Sequence, residues 1–311
     1  MRFLLAGGAG EVGRHISRYI LEHGHELIVL DKAPWTEAGG LGTHAAVRGD
    51  LQDKKLVETA LAGADVVVNL AWSFADDAAT IFREDLGGHI NLLEAAAAGR
   101  CKRVIYASTA AVYGAPLSEP VTEEHPCLPL QARKPLYALG KLSAEQLCHI
   151  YHNGRGLPAT VIRFWWAFGD TIGGRHLRDM VAAAENNEPL RVVAGAGGTF
   201  VAMDDIGAFI LAAAASPPSA GGVYNLGSLF LTWTEIAAAI IEIVGSRSPL
   251  IESSGGSWRG PAFLNERWLL SWEKAARETG YRPARENGVL RQAFARALAG
   301  CAGRAALGVA R

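Results

Sequence analysis

A short apolar run at residues 2–6 passes directly into Gly7-Gly8-Ala9-Gly10-Glu11-Val12-Gly13, where glycines recur at 7, 10 and 13 just as a helical pattern begins. This join constrains the fold most, because it demands a strand that turns at once into a helix across a backbone with almost no side chains. The alternation then continues. Apolar or β-branched runs at residues 26–30, 45–48, 65–69, 103–107 and 159–163 are separated by helical patterns at about 11–23, 53–61, 78–99, 137–154 and 176–186. Strands that lack strict polar alternation and are separated by helices predict a parallel sheet covered on both faces.

The expected fold class is therefore α/β, a doubly wound, Rossmann-like parallel sheet. A chain of 311 residues, half of them apolar, lies above the size at which one core begins to divide. Residues 1–165 are expected to form the main domain. Residues 166–311, with their Gly-rich turns, are expected to form mainly a smaller substrate-binding subdomain, with 200–227 returning to the main domain. The Ala/Gly-rich tail at 299–311 reads as a frayed helix or a disordered end.

Composition narrows the partners. A net charge of −1, from 30 basic and 31 acidic residues, leaves no footprint for nucleic acid or an anionic membrane. No run approaches the roughly 18 apolar residues of a spanning helix, and the first residues are too short an apolar stretch for a signal peptide, so a cytoplasmic enzyme is expected. Cys101, Cys127, Cys148 and Cys301 are widely spaced and read as reduced structural thiols. The histidines show no metal-binding spacing, and no metal is expected.

The glycine triplet carries the first functional expectation. Gly7 permits the turn, Gly10 lets the backbone approach a pyrophosphate, and Gly13 allows close helix packing, while the helix start at Glu11 and Val12 attracts phosphate charge. Asp31, ending the second strand, is placed to accept hydrogen bonds from a ribose diol and would repel a 2′-phosphate, so NAD is expected rather than NADP, with Lys32 beside it as a counter-indication. Asp50 and Leu51, after the third strand, are candidates for the adenine, although Asp50 also reads as a simple helix cap. Leu70 and Ala71, after the fourth, would border the cofactor.

The chemistry is expected at the fifth strand and the helix beyond it. Tyr137 and Lys141 are four residues apart on a predicted helix and share a face. A nearby ammonium and a positive nicotinamide would favour the phenolate, letting Tyr137 exchange a proton with an alcohol while hydride moves. Ser108 and Thr109 stand at the carboxyl end of a strand, where open α/β sheets bind ligands, and Thr109 is expected to hold the reacting oxygen.

Together these segments resemble the extended short-chain dehydrogenase/reductase family, on the branch of NAD-dependent epimerases and dehydratases typified by UDP-glucose 4-epimerase. The motifs are the glycine loop, Ser108-Thr109-Ala110-Ala111-Val112-Tyr113-Gly114, Tyr137-Ala138-Leu139-Gly140-Lys141, the segment from Arg163 to Gly169, Phe200-Val201 and Val223-Tyr224-Asn225-Leu226-Gly227. The resemblance implies NAD, catalysis by Thr109, Tyr137 and Lys141, a sugar or nucleotide-sugar substrate, and a homodimer packed through the helices near 78–99 and 137–154.

Departures from the family bear on the substrate. Ala110 and Ala111 replace the Asp-Glu pair of the dehydratases. Trp166 and Thr199 replace an Asn and an Arg that serve the diphosphate in UDP-sugar epimerases, and Asp85 stands where an Asn is usual. Trp165 and Trp166 read equally well as pocket lining or as core, and Arg175, His176 and Arg178 as anion contacts or a solvated face. Three functions follow: epimerisation without net redox change, net oxidation or reduction of a free sugar, sugar acid or other small carbonyl compound, and a cofactor-sensing regulator that has lost catalysis.

Overall fold

The computed structural model describes residues 1–35, 42 and 44–306, with side chains to residue 301; the rest of the expected tail, 307–311, lies outside the described residues. Strands β1 (Arg2–Ala6), β2 (Glu26–Asp31), β3 (His44–Arg48), β4 (Val66–Asn69), β5 (Arg103–Ala107), β6 (Ala159–Arg163) and, much later in the chain, β10 (Val223–Asn225) form one seven-stranded sheet. Its order is β10-β6-β5-β4-β1-β2-β3, and every neighbouring pair is parallel. All carboxyl ends therefore meet at one edge of the sheet.

Successive side chains of a strand point to opposite faces, and here both faces are buried. Phe3 and Leu5 face a core shared with α1 (Glu11–Glu22) and α7 (Met203–Ala215), through Ile16, Ile20, Ile206 and Phe209. Leu4 and Ala6 face the opposite core, made with α2 (Lys54–Leu61), α4 (Leu86–Ala98) and α5 (Pro135–Arg155) through Val57, Leu92, Leu93, Ala144 and Cys148. Each such Leu, Ile, Val or Phe contributes roughly 1.5–3 kcal/mol on burial.

The predicted helix at 78–99 is not uniform. A short turn α3 (Ala78–Thr80) runs through a π-helical turn, Ile81–Asp85, before α4 begins. Such turns admit an extra residue per turn and rotate the side chains that follow.

A second core belongs to the C-terminal region. Strand β7 (Trp166–Phe168) pairs with β9 (Gly197–Ala202), which also pairs with β11 (Leu229–Thr232) and β13 (Arg267–Trp268); β8 (Leu190–Val193) pairs with β12 (Leu250–Ser253). Helices α6 (Arg175–Glu185), α8 (Trp233–Val244) and α10 (Asn287–Ala306) cover these strands, while α9 (Glu273–Thr279) lies against β10. Helix α8 is closed at its start by a capping box between Thr232 and Glu235 and at its end by Gly245 in a left-handed conformation. The chain crosses back at β9: residues 203–225 supply α7 and β10 to the large domain.

One buried ion pair ties α5 to β6. Arg163 donates its Nε to Glu145 at 3.0 Å, and its second nitrogen to the other carboxylate oxygen, with neither residue more than 4% exposed. The Ser108 hydroxyl donates to the same carboxylate. Glu145→Ala strands a buried guanidinium and should destabilise the chain by about 3–5 kcal/mol, whereas replacing both partners by methionine should recover much of that loss. Urea unfolding followed by circular dichroism checks it; an unchanged midpoint for the single variant would contradict the assignment.

Candidate active site

The glycine loop sits at the carboxyl edge of the sheet with no space for side chains at two of its three glycines. A Cβ on Gly13 would lie 2.1 Å from the Gly7 carbonyl oxygen, and one on Gly7 would lie 2.7 Å from the Ala71 nitrogen. Gly7 also has φ +81°, so any other residue there would be strained. At Gly10 the nearest atom to an added Cβ is 3.4 Å away. Gly10 caps α1 with no side-chain hydrogen bond, which leaves the first-turn N–H groups and the positive end of the helix for an anion.

The expected cofactor residues gather along this edge. Asp31 accepts hydrogen bonds from Ala9 N at 2.8 Å and Ala33 N at 2.9 Å, placing its carboxylate beside the glycine loop. Leu70 donates its N–H to the Ala6 carbonyl, and Ala71 lies against Gly7. Val12 is half-buried against the core beneath, while the Glu11 carboxylate accepts from the Thr171 hydroxyl and so reaches the segment that precedes α6. These groups fit a dinucleotide: unclaimed helix N–H groups for a pyrophosphate and a strand-end carboxylate for a ribose.

Asp50 does not cap α2. Its carboxylate pairs with Lys32 Nζ at 2.8 Å and accepts from Gln52 N, and Asp53 is the residue that caps α2. Lys32 is held by Glu84 as well, at 3.3 Å. The cation that weakened the preference for NAD is thus already matched by two carboxylates. Leu51 packs half-buried beside Gly88.

Thr109 follows β5 and begins a 3-10 turn, Ala110–Tyr113, its hydroxyl accepting from Ala111 N at 3.2 Å. Helix α5 opens on Pro135, so that Tyr137 and Lys141 lie one turn apart near its start. Burial pushes the Tyr137 phenol up to about 12, against a lowering influence from the Thr109 hydroxyl. Lys141 is 4% exposed, donates its Nζ to the Ala107 carbonyl at 2.8 Å, and lies over the rings of Trp72 at 4.3 Å and Tyr106 at 4.9 Å. Its desolvation brings the ammonium down to about 7, against the opposing pull of Asp85 and Glu145. Burial thus favours the protonated phenol and weakens the ammonium, opposing the push toward phenolate expected of the ammonium and nicotinamide charges together.

Two aromatic residues missed by the sequence reading enclose the phenol. Phe74 stacks on Tyr137 with centroids 5.7 Å apart, and Trp72 meets it edge-on at 6.2 Å. Phe74 holds φ at 58° and is 64% exposed, unusual for a large apolar residue. The signal was available as two aromatic residues just past the end of the fourth strand, where open sheets bind ligands.

The candidate substrate residues divide. The Ser108 hydroxyl is buried and committed to Glu145. Trp165 and Trp166 pack edge-on to each other and to Trp233, and both contact Phe200, with Trp166 Nε1 donating to the Gly173 carbonyl at 2.7 Å. They belong to the second core as partly buried members. Thr199 is buried and accepts from Leu270 N. His176 packs between Trp233 and Phe263, and desolvation lowers it to about 4, leaving a neutral imidazole. Arg133 lies over the other side of this cluster, 4.3 Å from the Phe263 ring centroid, and Arg175 is exposed. Among the described residues, no three His, Cys, Asp or Glu side chains are grouped to hold a metal ion, and no helix is long and apolar enough to cross a membrane.

Known proteins share this arrangement. Residues 3–227 match the model of the NAD dependent epimerase/dehydratase family. The chain is 30% identical over 294 residues to the low-salt glycan biosynthesis protein Agl12 of Haloferax volcanii, covering 88% of this chain and 93% of that protein. It is 29% identical over 182 residues to the UDP-glucose 4-epimerase of Halalkalibacterium halodurans, covering 56% of this chain and 53% of that one, so it spans about half the length of that relative. Among solved structures, DesIV, the dTDP-glucose 4,6-dehydratase of Streptomyces venezuelae crystallised with NAD, is 26% identical with a TM-score of 0.78, covering 96% of each chain. The UDP-glucose 4-epimerase of Thermus thermophilus in complex with NAD is 25% identical with a TM-score of 0.71, covering 97% of this chain and 99% of that one. A match that runs from the first strand of the large sheet to just past its last places this chain in the NAD dependent epimerase/dehydratase family, among enzymes of the extended short-chain dehydrogenase/reductase type whose cofactor is NAD.

Proposed function

We propose that the chain catalyses hydride transfer at a secondary alcohol or ketone carbon of a sugar-like substrate, in an epimerase-type reaction. The observation that carries this reading is the buried Lys141, bonded to the last residue of β5 two positions before Thr109 and one turn from Tyr137 on α5, at the carboxyl edge where the glycine loop and Asp31 also meet. NAD, when bound, supplies the hydride acceptor and donor. Gly7, Gly10, Glu11, Val12 and Gly13 would hold its pyrophosphate, Asp31 a ribose, Asp50 and Leu51 the adenine side, and Leu70, Ala71 and Lys141 the nicotinamide side. Tyr137 exchanges the proton of the reacting hydroxyl, Thr109 fixes the reacting oxygen, and the charge on Lys141 brings the phenolate within reach.

A net dehydrogenase or reductase acting on a smaller, less charged compound is the second reading. It is favoured by the commitment of Trp166 and Thr199 to packing and to a backbone hydrogen bond, which leaves neither for a diphosphate. Trp165, Trp166, Arg175 and His176 are retained as candidate substrate contacts, because the Trp166–Gly173 bond joins the aromatic cluster to the start of α6. Elimination of water is disfavoured, since Ala110 and Ala111 offer no acid or base after Thr109. Exposed Phe82, Ile90, Leu139 and Ile150 on and before the packed helices α4 and α5 support a homodimer formed through that face, and a cytoplasmic location is proposed with it.

Calorimetric titration of the NAD-loaded protein with UDP, dTDP, GDP and CDP separates the readings. Tight binding of one nucleotide supports the epimerase-type reaction on its sugars. Binding of none, with net NADH formation on a free sugar or sugar acid, supports the second reading. Neither binding nor NADH formation would contradict both. The cofactor preference is tested separately: NAD should bind at least about tenfold more tightly than NADP, and Asp31→Asn, which removes the charge facing a 2′-phosphate while keeping an acceptor, should narrow that ratio. A ratio unchanged by the substitution would remove Asp31 from cofactor selection.

A further inference from the structure

Between β7 and α6 the chain reaches from the second core to the start of α1 and returns, within the six residues Gly169-Asp170-Thr171-Ile172-Gly173-Gly174. This turn lies along one face of α1, where Glu11, His15 and Arg18 follow at helical spacing. The Thr171 hydroxyl donates to the Glu11 carboxylate. A Cβ built on Gly173 would lie 3.5 Å from the same carboxylate, and one on Gly169 would lie 3.2 Å from His15 Nδ1. Asp170 pairs with Arg18 at 3.5 Å. Glu11 is the first residue of α1, directly after Gly10, so the turn meets the large domain at the helix end that is open to a phosphate.

The other side of the turn belongs to the C-terminal region. Ile172 is buried in the second core, and its carbonyl accepts from Cys301 Sγ at 2.8 Å. The Gly173 carbonyl accepts from Trp166 Nε1 at 2.7 Å. Gly174 holds φ at +114°, and a Cβ there would lie 2.0 Å from the Trp166 ring, so the exit into α6 requires glycine. Within the turn, Gly169 N donates to the Thr171 carbonyl at 3.0 Å, and Phe168 bridges Ile172. The turn therefore moves with the second core, and the polar contacts that carry it onto α1 are Glu11–Thr171 and Arg18–Asp170. The Arg18–Asp170 pair is exposed and contributes little. Glu11–Thr171, a half-buried hydroxyl on a charged acceptor, is the contact that holds the turn at the phosphate end.

We propose that the turn at 169–174 is a clasp on the cofactor, with Thr171 as the positioning residue that fastens it to Glu11 beside the pyrophosphate site. A dinucleotide held at the start of α1 would lie next to this contact, and its release requires Glu11 and Thr171 to part. Because the turn is bonded to Trp166 and buried through Ile172, parting them moves the second core, with its aromatic wall, away from α1. Cofactor release is thereby tied to separation of the two cores. A cofactor kept through turnover suits a reaction in which the same hydride returns, whereas net oxidation or reduction requires its exchange in every cycle. The assignment rests on the cofactor of the family and not on the reaction proposed above.

The test follows NADH release from the full-length protein by stopped-flow fluorescence, with excess NAD added to prevent rebinding. Thr171→Val keeps the shape of the side chain and removes the hydroxyl, so release should be at least about fivefold faster. Thr171→Ser keeps the hydroxyl and should release NADH within about twofold of the native rate. In a Glu11→Ala protein, where the partner is gone, Thr171→Val should cause no further acceleration. Hydrogen exchange of residues 169–174 in the native protein should slow when NAD is added. A native release rate in Thr171→Val, the full acceleration again in the Glu11→Ala protein, or exchange at 169–174 that NAD does not alter would each overturn the clasp. The exchange measurement on the native protein decides the matter even if Thr171→Val does not fold. A native protein that passes these tests but turns over no sugar would overturn the proposed reaction and leave the clasp standing.

Discussion

Desolvation of the opening turns of α5 is the constraint on which the rest of the site depends. An ammonium and a phenol one helical turn apart would be ordinary surface groups in water, with ordinary ionisation. Here Lys141 is 4% exposed, so its charged form survives only where something opposes the loss of hydration. Strand β5 supplies a carbonyl, two aromatic faces supply weaker attraction, and carboxylates on two sides supply field. The same burial drives Tyr137 toward its protonated form, against a weaker opposing influence of the Thr109 hydroxyl. Burial thus holds the phenol protonated and weakens the ammonium, and the positive charge of a bound nicotinamide would act against that hold on the phenol.

The architecture places this pair by linking two cores. The parallel sheet brings the glycine loop, Asp31, Leu70 and Thr109 to one edge, because every strand runs the same way. Helix α5 is fixed beneath them by the Glu145–Arg163 pair, which also takes up the hydroxyl of Ser108 and so leaves Thr109 as the second strand-end hydroxyl. The second core closes the other side through Trp165, Trp166, Trp233 and Phe200. That wall is apolar, His176 beside it is neutral, and the Arg133 guanidinium lies over Phe263 of the same cluster.

Much of this was legible in the sequence, and the reasons are physical. The six early strands read correctly to within a residue because their alternation with helices is regular and because all but the largely exposed edge strand β3 are buried on both faces and so almost continuously apolar. Tyr137 and Lys141 were legible from helical spacing, and the glycine loop from its position after β1. What stayed hidden depends on contacts between segments distant in sequence. The match of Lys32 with Asp50 and Glu84 joins three separate elements. The stacking of Phe74 on Tyr137 needs a left-handed backbone that no local pattern requires. The π-turn that orients Asp85 is a one-residue irregularity inside a helix whose apolar periodicity looks ordinary. The tryptophan pair was ambiguous for a related reason, since large rings serve equally well as packing and as lining, and only their neighbours decide.

In the proposed reaction Tyr137 exchanges the substrate proton while hydride moves. Its most direct test is Tyr137→Phe, which keeps the ring beneath Phe74 and removes only the hydroxyl. The account predicts NAD affinity within about threefold of the native protein, by calorimetry, and turnover on the identified substrate lower by roughly 10²–10⁴-fold. Turnover at the native rate with NAD still bound would contradict it.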